Sequence, residues 1–113
     1  MLRTLHTVCS WLLVALGTVH AALTPMFYGR FSLGAIWFLG SGLTMIFLGF
    51  LNITLSRNAG RDRLAQILCY IANLLCTGFG FLLVTVDGEP QVIFGLVLII
   101  LMTITAFLLK RPV

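Results

Sequence analysis

The two histidines of this sequence, His6 and His20, are its side chains best suited to chemistry near neutral pH. Imidazole has a pKa of about 6.5, donates or accepts hydrogen bonds, and binds metals. Both histidines lie in one apolar run, where an ionisable group is costly to bury and is a candidate functional residue by default. His20 is close to the end of that run, so a structural role near a membrane surface is an alternative explanation for it.

The spacing of the two histidines is compatible with a haem site. They are 14 positions apart, which in an α-helix corresponds to about 21 Å of rise and about 40° of rotation. This resembles the two-histidine haem helices of b-type cytochromes, where axial imidazoles hold two stacked haems. Each haem takes two imidazoles and no other apolar run contains a histidine, so ligation of haem b by His6 and His20 would require a dimer. We expect no cofactor and keep haem as a third hypothesis.

The elements that must position these histidines are predicted to be transmembrane helices. Of 113 residues, 60% are hydrophobic and only 9% are charged, with a mean hydropathy of +1.12. Apolar runs cover residues 5–23, 31–55, 64–86 and 92–109, and each is close to the ~20 residues that a membrane-spanning helix needs. Short connections make successive helices antiparallel. In the first connection, Pro25 and Gly29 break helix geometry. We predict one all-α domain, residues 1–113, that forms an up-down-up-down bundle of four transmembrane helices.

The basic residues predict the orientation of this bundle. One side would hold both termini and the second connection, and it carries six of the seven Lys and Arg residues: Arg3, Arg57, Arg61, Arg63, Lys110 and Arg111. Arg30 lies on the other side, together with Asp87 and Glu89. The positive-inside rule therefore predicts cytoplasmic termini in a bacterial inner membrane. The net charge of +4 indicates this topology and contact with anionic membrane lipids, not nucleic-acid binding.

Polar and small residues recur every three or four positions along three of the predicted helices. In a bilayer such a stripe is expected to face other helices, where polar groups hydrogen-bond and glycines permit close packing. We assign to an interhelical polar stripe His6, Asn52, Gln66, Tyr70 and Asn73. The pairs Gly40/Gly42 and Gly78/Gly80 either allow close helix packing or leave space for a ligand. The three cysteines are expected to be small core residues.

The leading hypothesis for function is a non-enzymatic protein that binds, and either transports or merely holds, a small apolar or amphipathic molecule. The ligand would be a lipid or a quinone-like compound in a pocket near the outer surface. The residues assigned to this pocket are His20, Trp37, Ser41, Thr77, Arg30 and Tyr28. His20 would hydrogen-bond to Thr24, Trp37 or Gln91, and Arg30 would offer a cation at the mouth.

The alternative hypothesis is a structural or interaction subunit of a homo-oligomer, such as a homodimer, or of a complex with a partner membrane protein. Its stripes would then pack against the second chain. The sequence has no motif of metal ligands, no nucleophile–base motif and no paired carboxylates within an apolar run. It therefore predicts neither catalytic residues nor a metal site.

Overall fold

The computed structural model describes residues 1–58, 61–86 and 88–109. Three residues used in the charge argument, Asp87, Lys110 and Arg111, lie outside this part of the chain. The described residues form five helices and no strand: α1 (Leu2–Ala22), α2 (Thr24–Phe27), α3 (Leu33–Asn58), α4 (Arg63–Val86) and α5 (Pro90–Leu108). Among them, α1, α3, α4 and α5 are long and apolar enough to cross a membrane. The prediction of four such helices is confirmed.

The observed helices differ from the predicted runs mainly at their ends. Helix geometry is broken between the first two long helices as predicted, since α1 ends at Ala22 and α3 begins at Leu33, but Pro25 itself lies in the first turn of the short helix α2. Proline is tolerated there, since the first backbone N–H groups of a helix have no intrahelical acceptor. In the same way α5 begins at Pro90, two residues before the predicted start.

Contacts between the long helices show that each runs antiparallel to the next. Gly17 of α1 meets Gly42 of α3, and Ser10, earlier in α1, meets Gly49, later in α3. Asn52 of α3 pairs with Asn73 of α4, and the later Leu55 shares a buried cluster with the earlier Cys69. Thr77 of α4 meets Thr103 of α5, and the earlier Tyr70 packs against the later Phe107. One end of the bundle therefore carries α2 and the turn before α5, and we call it the α2 end. The opposite end carries Met1 and the connection before α4, and we call it the amino-terminal end.

The α1–α3 pair is the most closely packed pair of helices, and glycines explain why. A Cβ atom added to Gly17 would lie 2.6 Å from the carbonyl oxygen of Gly42, and one added to Gly42 would lie 2.8 Å from the carbonyl oxygen of Gly17. A Cβ on Gly49 would lie 2.8 Å from the carbonyl oxygen of Ser10. These distances leave no room for a side chain, so the two backbones pack directly on each other.

Polar side chains are buried inside the bundle, whereas large apolar side chains are exposed. The buried polar residues are His6, Ser10, Asn52, Ser56, Asn73, Thr103 and Thr105. Large apolar residues are exposed on all four long helices, for example Trp11, Phe47, Leu75 and Phe94. A soluble monomer rarely exposes continuous apolar surface of this kind. The distribution suits a protein whose outer surface contacts lipid and whose interior supplies the hydrogen bonds.

Candidate functional site

A buried hydrogen-bond network joins α3 and α4 near the amino-terminal end. Asn52 and Asn73 are both fully buried. The Asn52 amide Nδ2 donates to Asn73 Oδ1 at 2.7 Å, and the Asn73 Nδ2 donates to Asn52 Oδ1 at 2.8 Å. The Cys69 thiol also lies 3.5 Å from Asn52 Oδ1. Two reciprocal amide bonds fix the register of α3 against α4, as expected for an interhelical polar stripe.

His6 belongs to the same network and has no accessible surface. Its Nδ1 lies 2.7 Å from the Thr105 hydroxyl of α5, and its Nε2 lies 3.2 Å from the Asn52 carbonyl oxygen of α3. Axial ligation of a metal would have to break one of these bonds. The geometry at His6 therefore favours a role in packing, and it does not favour the haem hypothesis.

The two remaining residues assigned to the polar stripe, Gln66 and Tyr70, are half-buried and lie on α4. The Gln66 amide donates to the Tyr70 hydroxyl one helical turn away. The Tyr70 ring packs against Phe107 of α5, with ring centroids 4.4 Å apart. Tyr70 thus contacts the neighbouring helix α5 through its ring, while the hydrogen bond between Gln66 and Tyr70 stays within α4.

A pocket of about 700 Å³ lies at the α2 end, between α3 and α4 and with α1, α2 and α5 contributing to its walls. Four of the residues assigned to a ligand site from sequence line it: His20, Tyr28, Trp37 and Ser41. Most of its other lining residues are apolar: Leu16, Phe27, Phe38, Met45, Leu48, Cys76, Phe79, Leu83, Val92, Leu96 and Ile99. Its volume falls within the range of roughly 300–1,000 Å³ that is usual for small-molecule sites.

His20 lies in the last turn of α1 and faces this pocket. Its ring stacks on Phe38 of α3, with centroids 3.8 Å apart and planes at 19°. The buried Nε2 atom of His20 and the buried hydroxyl of Thr24 have no hydrogen-bond partner within the described part of the chain. The predicted bonds from this nitrogen to Thr24, Trp37 or Gln91 are therefore not formed. An unpaired buried polar atom costs about 1–3 kcal/mol, so a ligand group that reached this nitrogen would gain a hydrogen bond that no described protein group makes.

Two residues assigned to the pocket from sequence, Thr77 and Arg30, do not line it. The Thr77 hydroxyl instead donates to the Asn73 carbonyl oxygen and meets the Thr103 hydroxyl of α5. Arg30 is exposed in the connection between α2 and α3. Among the described residues, the charged residue that lines the pocket is Glu89, in the turn before α5. In the sequence, Glu89 contributes only to the charge pattern that predicts orientation, although its position beside Pro90, at the start of a helix, is a usable signal.

The two glycine pairs each combine both of the roles considered for them. Gly42 packs against the α1 backbone, and a Cβ on Gly80 would meet the Leu96 side chain at 2.7 Å. By contrast, a Cβ on Gly40 or on Gly78 would meet no atom within 4 Å. Gly40 and Gly80 line the pocket, whereas Gly78 does not. In the first pair, Gly42 holds α3 against α1 and Gly40 leaves open space at the pocket wall. In the second pair, Gly80 both packs against Leu96 and lines the pocket.

Comparison with protein families, with curated proteins and with solved structures finds no match to this chain. The function must therefore be argued from the two regions just described. The described residues include no group of three or more His, Cys, Asp or Glu side chains placed to hold a metal ion. Of the two regions, the network is satisfied by its own hydrogen bonds, whereas the pocket combines space with a lining residue, His20, whose Nε2 atom is unpaired.

Proposed function

We propose that this protein is a non-enzymatic membrane protein that binds a small apolar or amphipathic molecule, such as a lipid or a quinone-like compound, in the pocket at the α2 end. The observation that carries the proposal is a cavity of about 700 Å³ with mostly apolar walls and the buried, unpaired Nε2 atom of His20. Binding sites for small molecules typically combine an apolar enclosure with a few polar groups that orient the ligand. His20 is the group placed to do so here.

The membrane setting of the proposal depends on the four long helices. We propose that they cross a bacterial inner membrane with both termini in the cytoplasm, so that the α2 end faces outward. Exposed apolar side chains on each of these helices support contact with membrane lipids. Arg3, Arg57, Arg61 and Arg63 cluster at the amino-terminal end, as the positive-inside rule requires of a cytoplasmic side.

The proposed roles of the lining residues follow from their chemistry. Trp37 and Tyr28 provide flat apolar surface with a polar atom at one edge, which suits an amphipathic ligand. His20 provides the hydrogen bond that a carbonyl, hydroxyl or amine of the ligand would make. Whether the ligand is held or carried across the membrane depends on motions of the bundle, so the first test concerns binding alone.

Filling the pocket is the direct test of binding. Gly40→Leu adds a side chain on the pocket wall, at a position where a new Cβ meets no atom within 4 Å. Gly78→Leu is the matched control, since its Cβ also meets no atom within 4 Å and Gly78 does not line the pocket. We expect gently solubilised wild-type protein and Gly78→Leu to co-purify with an organic molecule, detected by mass spectrometry, that Gly40→Leu has lost.

The same experiment separates ligand binding from a purely structural role. If Gly40→Leu retains every co-purifying molecule, or if wild-type protein carries none, the pocket hypothesis fails. The function of a structural or interaction subunit, in a homo-oligomer or with a partner membrane protein, would then be favoured. Equal thermal unfolding of both variants in detergent shows that loss of the ligand does not result from loss of the fold.

A further inference from the structure

The described residues that line the pocket include one carboxylate, that of Glu89, and this narrows the chemistry of the ligand. Glu89 lines the pocket and accepts a hydrogen bond from Gln91. Among the described lining residues, no Lys or Arg is present. The amino-terminal end of α5 adds a partial positive charge of about half a unit, which is smaller than the full negative charge of the carboxylate. A cation near the mouth is therefore attracted, and an anion is repelled.

The walls of the pocket also favour a cation. Trp37, Tyr28, Phe27, Phe38 and Phe79 all line it. The face of an aromatic ring carries partial negative charge and attracts organic cations, with tryptophan giving the strongest interaction. The Phe38 ring already stacks on His20, so the other four rings are the candidates to contact an ammonium group that carries apolar substituents.

The hydroxyl groups of the pocket are arranged as acceptors. Ser41 donates its proton to the Trp37 carbonyl oxygen at 3.1 Å, and Thr44 donates to the Gly40 carbonyl oxygen at 2.8 Å. Each hydroxyl has only one proton to donate, so its oxygen is left to accept. The hydroxyl of Tyr28 and the indole N–H of Trp37 are hydrogen-bond donors that suit a neutral polar group. An anion bound to them would be repelled by the carboxylate of Glu89, which lines the same pocket.

We infer that the pocket selects an organic cation with an apolar body, such as a hydrophobic amine or a quaternary ammonium compound. This inference rests on the proposed function, since it names the chemical class that the same pocket takes. It replaces the expectation that Arg30 offers a cation to an acidic headgroup. The carboxylate of Glu89 would neutralise the ligand while the aromatic walls enclose its apolar body.

Probes of equal shape and opposite charge test this inference. Tetraphenylarsonium, tetraphenylborate and neutral triphenylmethanol are equilibrated by dialysis with the full-length protein in neutral detergent. Binding to the pocket is the saturable binding of wild-type protein minus that of Gly40→Leu. This subtraction removes the contribution of probe that partitions into micelles. We expect the arsonium ion to bind about fivefold more tightly than the borate ion, the upper range for one exposed charge pair. Glu89→Gln should reduce this preference by about the same factor.

Asp62→Asn is the matched control, because it neutralises an exposed carboxylate at the amino-terminal end, and it should leave the preference unchanged. Pocket binding without a preference for the cation would overturn this inference and leave the proposed function standing. A preference for borate that Arg30→Gln abolishes would overturn it in favour of an anionic ligand. If no probe binds wild-type protein more than Gly40→Leu, and no molecule co-purifies, both proposals fail.

Discussion

Replacing the asparagines that join α3 and α4 should reveal an asymmetry between two residues that look equivalent in sequence. Leucine at either position removes both reciprocal bonds, which at about 0.6 kcal/mol each in a membrane amounts to about 1.2 kcal/mol. After Asn73→Leu, the Asn52 amide still donates to the Leu48 carbonyl oxygen at 2.8 Å and its Oδ1 still lies near the Cys69 thiol. After Asn52→Leu, Asn73 keeps only a 3.8 Å contact with Cys69 Sγ among the described hydrogen bonds of its side chain.

Asn52→Leu therefore carries an additional cost for an unsatisfied buried amide, about 1–3 kcal/mol. We expect the free energy of unfolding to fall by about 1–2 kcal/mol for Asn73→Leu and by about 2–4 kcal/mol for Asn52→Leu. The double variant loses the two shared bonds only once and leaves no orphaned amide, so its loss should be smaller than the sum of the two by about 2–4 kcal/mol.

Reversible unfolding in mixed micelles with increasing SDS, followed by far-ultraviolet circular dichroism, measures all three variants against wild type. Equal losses for the two single variants would refute the assigned hydrogen bonds, because the asymmetry depends on the bond from Asn52 to Leu48. Additive losses in the double variant would refute the direct contact between the two amides.

Three further predictions concern packing, His6 and topology. Gly42→Ala should be less stable than Gly78→Ala by about 1–3 kcal/mol in the same unfolding assay. Both variants gain helix propensity, but only the new methyl group at position 42 would clash with the neighbouring helix. Equal stability of the two variants would contradict the close α1–α3 contact. His6→Leu should lower stability by about 1–3 kcal/mol by removing bonds to α3 and α5, with no change in the visible absorption spectrum; a Soret band lost in this variant would instead support axial ligation. A reporter active only in the cytoplasm should work when fused after Val113 and fail when inserted at Gly88, and the opposite result would overturn the proposed orientation.

The architecture was predictable because apolar length and short connections leave a chain few alternatives in a bilayer. Four runs of suitable length correspond to α1, α3, α4 and α5. The inward position of Asn52 and Asn73 also followed from helical periodicity, since lipid offers no partners for an amide. The short helix α2 did not follow, because Pro25 is equally compatible with a helix start and a loop.

The details of the pocket were less predictable than the helices. His20, Trp37 and Ser41 line one pocket, as expected from the depth and helical face that follow from sequence position. The positions of Glu89 and Arg30 were not predictable, because each lies in a connection, where no helical period indicates which side chain turns toward the bundle. Glu89 lines the pocket and Arg30 does not, so the inferred class of ligand depends on the least predictable part of the chain.

His6 and His20 show that the environment within the bundle, and not residue type, decides what a polar residue of a stripe does. Both lie on α1 and α3 packs beside each, yet His6 has bonds from both nitrogens and His20 has an unpaired Nε2 atom. Around His6, α3 and α5 both supply partners, and the pairing of Asn52 with Asn73 brings α4 to the same level. Around His20, the space between α3 and α4 is the pocket.

Because lipid exerts little hydrophobic force to close such a space, a cavity can persist there while the opposite end is fixed by hydrogen bonds. The same periodic pattern thus specifies packing at one end and a candidate binding site at the other.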